Sequence, residues 1–126
     1  MGHNIRVPRD CEYEQPCKWL AVNGAAVDIT NITLTCNVKS YQTRATANLS
    51  PTVTKTTPLS GLFEVSFTKT QTASLVKEDY YWEVLAAEPG GAANTSRIIS
   101  GRITMLDTGD SSIPIQLQTA VQDILT

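Results

Sequence analysis

The chain has 126 residues, a net charge of −2 and 41% hydrophobic residues, which suits one small globular domain. It has no basic cluster, so we expect no nucleic-acid binding, which depends on a positively charged stripe. No apolar run approaches the ~18 residues of a membrane-spanning helix, so we expect no membrane insertion. Abundant Thr, together with many Val and Ile residues, favours β-strands.

The first segment, residues 1–17, is predicted to be an extended N-terminal arm that precedes the folded domain. Within it, residues 4–10 have an extended pattern in which Pro8 restricts pairing to a sheet edge or a bulge. Residues 11–17 are predicted to form a loop, because Pro16 is a strand breaker. Such an arm lies outside the domain and can reach a neighbouring subunit.

The three cysteines, Cys11, Cys17 and Cys36, are expected to be reduced thiols. Their number is odd, and residues 1–6 lack the apolar region of a secretory signal. A disulfide between Cys11 and Cys17 is the alternative, if the loop between them folds back. The single histidine, His3, is expected at a loose terminus. With one histidine and no CxxC pair, we expect no zinc site or other metal site.

The next part of the chain predicts two strands and a hairpin signal. Residues 18–22 form a strand candidate, and the Asn23-Gly24 pair after it is the strongest short hairpin signal. Residues 32–39 alternate most cleanly, which suits an antiparallel sheet with one wet face. The predicted core positions of that strand are Ile32, Leu34, Cys36 and Val38. The weakly patterned residues 40–59 predict an edge region or a long loop, with short strands near 45–49 and 52–55.

Residues 61–106 are the most regular block and predict the core of the fold. Three runs there have the period of two that marks a half-buried strand, at residues 61–69, 79–87 and 97–106. Residues 72–75 predict one helical turn, with Leu75 reaching inward. Short strands at this spacing, with turn signals between them, are typical of an all-β sandwich.

The last segment, residues 107–126, is predicted to be a linker and a C-terminal tail. Its apolar residues have the spacing of an amphipathic helix over residues 116–126. They are Leu117, Val121, Ile124 and Leu125. A helix of this length is marginal alone, so it must dock either on its own sandwich or on a neighbouring subunit. Both alternatives stay open.

The residues that could carry chemistry do not form a recognisable catalytic or cofactor motif, so we expect neither an enzyme nor a cofactor. Glu64 and Glu83 are predicted to face away from the core on adjacent strands, solvated or interfacial rather than acting as a glycosidase pair. Asp107 and Asp110 lack the acid spacing of a calcium loop. The Gly90-Gly91 pair precedes no helix or lysine, so it predicts a turn and not a phosphate cradle.

Several short motifs resemble one protein family. Residues 23–33 (NGAAVDITNIT) resemble the x-G-x-P-V-D-L-T-G-x-T stretch of the immunoglobulin-like N-terminal modules of tailed-phage baseplate and tail-fibre proteins, including upper baseplate proteins. The family's later motifs have counterparts, in the same order, at residues 61–68, 72–75, 80–84 and 98–104. The resemblance covers residues 18–106. Asn31 replaces the usual Gly, and Ala26 replaces a frequent Pro.

The resemblance implies an immunoglobulin-like antiparallel β-sandwich over residues 18–106, between the N-terminal arm and the C-terminal tail. It also implies a non-enzymatic virion protein that is assembled in the host cytoplasm and contacts other virion proteins and copies of itself. Family members continue into a long fibre, so this shorter chain is expected to be an adaptor or joint at the tail, baseplate or fibre base. The alternatives are a capsid decoration or head-fibre protein and a module that binds host glycans.

The interface candidates are the apolar and aromatic residues of the arm, the tail and the predicted surface. They are Ile5, Val7, Trp19, Tyr41, Tyr81, Leu117, Val121, Ile124 and Leu125. For the glycan alternative, Trp19 and Tyr81 are the better candidates, because Tyr80 and Trp82 belong to the core pattern.

Overall fold

The computed structural model describes residues 3–40, 49–87, 95–106 and 117–121. These residues form two four-stranded sheets that pack face to face, which confirms the predicted all-β sandwich. The strands are β1 (Ile5–Pro8), β2 (Tyr13–Leu20), β3 (Thr33–Lys39), β4 (Thr52–Thr57), β5 (Leu62–Phe67), β6 (Asp79–Ala87), β7 (Thr95–Leu106) and β8 (Gln118–Val121). A 3₁₀ turn (Pro58–Ser60) precedes β5, and helix α1 (Lys69–Ser74) follows it.

Sheet A has the strand order β1-β7-β6-β3, and sheet B has the order β4-β5-β2-β8. Strand β1 runs parallel to β7 and β8 runs parallel to β2, whereas the other four pairs are antiparallel. The two parallel pairs therefore place the N-terminal and C-terminal strands at one edge of each sheet.

The core lies between the sheets because each strand alternates inward apolar and outward polar residues. Its largest fully buried side chains come from both sheets: Trp19, Phe63 and Phe67 from sheet B, and Trp82 from sheet A. Gln15 is also buried, and its amide is satisfied. Its Oε1 accepts from the Tyr13 hydroxyl (2.7 Å), and its Nε2 donates to the Pro16 carbonyl (2.8 Å).

Helix α1 begins earlier than the predicted turn at residues 72–75 because a capping box starts it. The Thr68 hydroxyl accepts from the Gln71 N–H (3.1 Å), and the Gln71 side chain accepts from the Thr68 N–H (2.9 Å). Leu75 is buried, as predicted.

The prediction of an arm over residues 1–17 is wrong where the structure describes it, because β1 and the first half of β2 belong to the sheets. Pro16 is tolerated inside β2 for a geometric reason. Alternate residues of β2 face β5, and Pro16 faces the other way, where β8 covers β2 only from Cys17 onward. Its missing N–H therefore removes no bond to β5.

The predicted C-terminal helix is wrong for residues 118–121, which form the strand β8. The spacing of Leu117 and Val121 suits one face of a strand as well as one face of a helix. The open edge of β2 supplies backbone partners for the strand, which a helix would leave unused. Ile124 and Leu125 lie outside the described residues.

Candidate functional site

The outer face of sheet A carries a cluster of charged side chains from three strands. Glu83 of β6 stands opposite Asn37 of β3 and Ser100 of β7. Although this face is turned to solvent, Glu83 is only 7% exposed. Of the two predicted alternatives, solvated or interfacial, the solvated one is therefore wrong for Glu83. The prediction of adjacent strands is also wrong, because Glu64 lies on β5 in the other sheet.

Three neighbouring side chains cover the Glu83 carboxylate. Lys39 Nζ lies 3.2 Å from Oε2, and Arg97 Nε lies 3.1 Å from Oε1. Asn37 Nδ2 donates to Oε2 at 3.3 Å, and its own Oδ1 accepts from the Ser50 hydroxyl at 3.1 Å. The Lys39 and Glu83 side chains are nearly buried, whereas Arg97 is half exposed. The carboxylate therefore fixes two cations in place on this face.

Tyr81 lies beside this cluster, opposite Lys39 on β3 and Arg102 on β7. The Arg102 guanidinium lies 5.9 Å from the centroid of the Tyr81 ring, within cation–π range. A side-chain hydrogen bond that the Arg102 guanidinium donates to Tyr81 raises the pKa of Arg102 above its usual value. A shallow hollow, open to solvent and with room for about one water molecule, is lined by Lys39, Tyr81, Glu83, Arg97 and Ser100 with their neighbours.

The face has the opposite charge to the chain as a whole. Among its described residues the basic ones outnumber the acidic ones, so this part of the face is positive on a chain of net charge −2. The residues concerned are Arg6, Lys39, Arg97 and Arg102 against Asp79 and Glu83. A positive face of this kind attracts acidic groups on a partner.

A second exposed feature is β8 at the edge of sheet B. Ala120 is buried inside the sandwich opposite Trp19, while Leu117 and Val121 are 48% and 60% exposed on the outside. The segment from Leu117 to Val121 contains no charged residue. The edge strand therefore presents apolar side chains to solvent.

His3 holds β8 to the rest of the sandwich. Its Nε2 lies 2.9 Å from the Thr119 carbonyl oxygen, and the ring N–H must donate because a carbonyl only accepts. The His3 backbone is held as well, because its N–H donates to Ser100 O (2.8 Å) and its carbonyl accepts from Trp82 Nε1 (2.7 Å). The prediction of a loose terminus at His3 is therefore wrong.

The thiols of Cys17 and Cys36 are buried in the core. All three cysteines are free, so the alternative of a bridge between Cys11 and Cys17 is wrong. Burial raises the pKa of Cys17 to about 12 and also raises that of Cys36. Both thiols stay protonated at neutral pH, and a protonated thiol is a poor nucleophile or metal ligand. Within the described residues, no group of three or more His, Cys, Asp or Glu side chains is arranged to hold a metal ion.

The predicted interface residues separate into three groups. Ile5, Val7 and Trp19 are at most 5% exposed, so the folded chain does not offer them to a partner and the prediction for them is wrong. Tyr81, Leu117 and Val121 are at least partly exposed. Tyr41, Ile124 and Leu125 lie outside the described residues.

Sequence reasoning missed the cluster of Lys39, Glu83 and Arg97, although each residue had been placed on a strand or its outer face. The missing information was the register between strands, which brings together residues far apart in the chain. The burial of β1 has only a weak signal in the sequence, the alternation of Ile5 and Val7 with Arg6 and Pro8 over four residues.

Comparisons with known proteins add no family assignment. No protein-family model matches the chain, and no curated protein matches it. In the part of the chain that the structure describes, no helix is long and apolar enough to cross a membrane.

Proposed function

We propose that the chain is a non-enzymatic assembly module. Its role is to join subunits at a phage tail, baseplate or fibre base, where it contacts other virion proteins and copies of itself. The observation that carries the proposal is the edge of sheet B formed by β8, which within the described residues carries neither a charge nor a proline and exposes Leu117 and Val121.

The edge formed by β4 has two features by which β-proteins prevent edge-to-edge association. Lys55 faces the same side as the partly buried Val53 and the buried Phe63, and its Nζ donates to the Thr30 carbonyl (3.1 Å). The pairing of β4 with β5 also shifts register between Lys55 and Thr57. An inward-pointing charge and a bulge both disfavour an added strand.

The two edges of sheet A are also protected. Strand β1 carries Arg6 on its outer face and ends with Pro8, which cannot donate a backbone hydrogen bond. On β3, the Val38 N–H donates to Leu49 O (2.7 Å) and the Val38 carbonyl accepts from Leu49 N (3.2 Å). Within the described residues, β8 is the edge with neither charge nor proline.

The virion setting comes from the sequence resemblance, and the open edge supports the assembly role independently of it. A capsid decoration or head-fibre protein would use the same edge in a different position on the particle. Quantitative mass spectrometry and antibody labelling of purified particles distinguish these positions. We expect a fixed copy number and labelling at the tail or fibre base. Absence of the chain from purified particles would contradict the proposal.

One observation favours glycan binding as the second candidate. The partly exposed Tyr81 lies beside a hollow lined by polar side chains, including Lys39, Arg97 and Ser100. An aromatic ring next to hydrogen-bonding groups is a suitable platform for a sugar. Glycan-array binding that Tyr81→Ala abolishes and that Leu59→Ala preserves would support this candidate. Leu59 is a suitable control because it is 73% exposed in the 3₁₀ turn.

A further inference from the structure

We propose that β8 pairs antiparallel with β8 of a second copy, about a two-fold axis that passes beside Thr119. The two B sheets then form one continuous sheet across the dimer. This inference rests on the proposed assembly function and names the partner of its open edge.

The backbone direction of β8 follows from its neighbours. The Trp19 N–H donates to Gly61 O (2.9 Å), and its carbonyl accepts from the Val27 N–H (3.0 Å), so both groups point away from β8. Because backbone groups alternate along a strand, those of Lys18 face β8 instead. In the parallel pairing of β2 with β8, the residues that face β2 are then Gln118 and Ala120.

The backbone groups of Leu117, Thr119 and Val121 therefore point to the open edge. The contact of His3 Nε2 with the Thr119 carbonyl supports this direction, because His3 is anchored to sheet A and not to β2. A carbonyl oxygen has two lone pairs, so the His3 contact leaves one for a second donor. Within the described residues, the outward N–H groups of Thr119 and Val121 have no backbone partner.

The segment is complementary to itself under a two-fold axis. With Thr119 opposite Thr119 of the second copy, each Leu117 stands opposite the Val121 of the other copy. The outward N–H and C=O groups of the two strands then match as donor and acceptor. The two exposed apolar side chains also meet as cross-strand pairs, which stabilise antiparallel sheets.

Within the described residues, charge does not oppose this contact. The nearest charged side chain there is Lys18, which lies one strand further in, opposite Thr119. In the dimer the two Lys18 strands are three strand spacings apart, or ~14 Å. That distance exceeds the ~8 Å screening length at physiological ionic strength. The contact is small, so the isolated dimer is weak, and a symmetric particle strengthens it through repeated contacts.

The test uses complementary charges in the full chain. Leu117→Lys and Val121→Glu each place a charge opposite an apolar residue in the homodimer. In the mixed dimer the two introduced charges stand opposite each other, and the remaining Leu117 and Val121 form the other pair. Val76→Lys is the matched control, because Val76 is 77% exposed outside the strands. Circular dichroism verifies that each variant is folded.

Sedimentation equilibrium is measured up to ~1 mM protein, where even a weak dimer is populated. We expect dimer formation by the unchanged chain and by Val76→Lys, at least tenfold weaker association of each charged variant alone, and recovery in their equimolar mixture. A monomeric unchanged chain, or a mixture that fails to associate, would overturn the inference. If the charged variants are absent from purified particles while the unchanged chain is present there but monomeric in solution, the edge binds a different subunit. That result rejects the second copy and retains the proposed function, whereas absence of the unchanged chain from particles rejects the proposed function itself.

Discussion

Glu83→Gln tests whether the charged cluster stabilises the sandwich. The substitution keeps the size of the side chain but removes its charge and replaces one acceptor oxygen with an NH₂ donor. Lys39 and Arg97 then remain at 3.2 and 3.1 Å from a neutral amide instead of a carboxylate. Lys39 loses more electrostatic stabilisation than Arg97, because its side chain is only 15% exposed and water cannot fully replace the carboxylate.

The magnitude follows from the exposure of the two cations. Removing one partner of a fully buried ion pair costs about 3–5 kcal/mol, whereas an exposed pair contributes about 0–1 kcal/mol. The pair with Lys39 lies between these limits, and the Arg97 side chain is 50% exposed, so its pair lies near the lower limit. We expect Glu83→Gln to lower the free energy of unfolding by about 1–2 kcal/mol.

Urea denaturation measures this change, with Glu64→Gln as the matched control. Glu64 also lies on the outward face of a central strand but has no ion pair among the described residues. We expect Glu64→Gln to change stability by less than about 0.5 kcal/mol, with an unchanged denaturant slope. Equal effects of the two substitutions would refute the claim that the Glu83 cluster stabilises the fold.

Three further predictions concern the backbone at Gly61, the Cys17 thiol and the contact between His3 and β8. Gly61→Ala should destabilise the fold by more than about 1 kcal/mol in thermal unfolding, because Gly61 has φ +70° and an added Cβ would lie 2.5 Å from the Trp19 carbonyl oxygen. Gly24→Ala is the control and should destabilise the fold less, because no atom lies within 4 Å of an added Cβ at Gly24. Cys17 has a folded pKa of about 12 against 9.0 when unfolded, so its contribution to stability is complete below pH 9 and is lost as pH rises from 9 towards 12. Between pH 8 and pH 10, the free energy of unfolding should therefore fall less in Cys17→Ala than in the unchanged chain. An equal fall in both proteins would contradict a raised pKa of Cys17. His3→Ala should speed hydrogen exchange at the Ala120 amide severalfold, because it removes the 2.9 Å contact that holds β8, while the Val65 amide in the central strand β5 should not change.

The strands that could be predicted from the sequence are those with clear local alternation. The predicted strand at residues 79–87 coincides with β6, and residues 32–39 differ from β3 by one residue. The predicted strands at residues 61–69 and 97–106 each overlap one observed strand, β5 and β7. In each, an apolar residue at every second position forces one face into the core, and that information is local.

The edge strands could not be predicted in this way. Strands β1 and β8 have four residues each, too few for a reliable period, and their partners are distant in the chain. The candidate site could not be predicted for the same reason. The contact of Lys39, Glu83 and Arg97 depends on the register of β3, β6 and β7, which the sequence does not reveal. Leu117 and Val121, which are predicted as interface candidates on a helix, are exposed apolar residues just before and at the end of the strand β8.

The most direct test of assembly through β8 is hydrogen exchange of its backbone amides as a function of protein concentration. The Thr119 and Val121 N–H groups point to the open edge, whereas the Ala120 N–H faces β2. We predict that the Thr119 and Val121 amides become protected as concentration rises, while the Ala120 amide is protected throughout. Exchange at Thr119 and Val121 that is fast at every concentration would contradict the account.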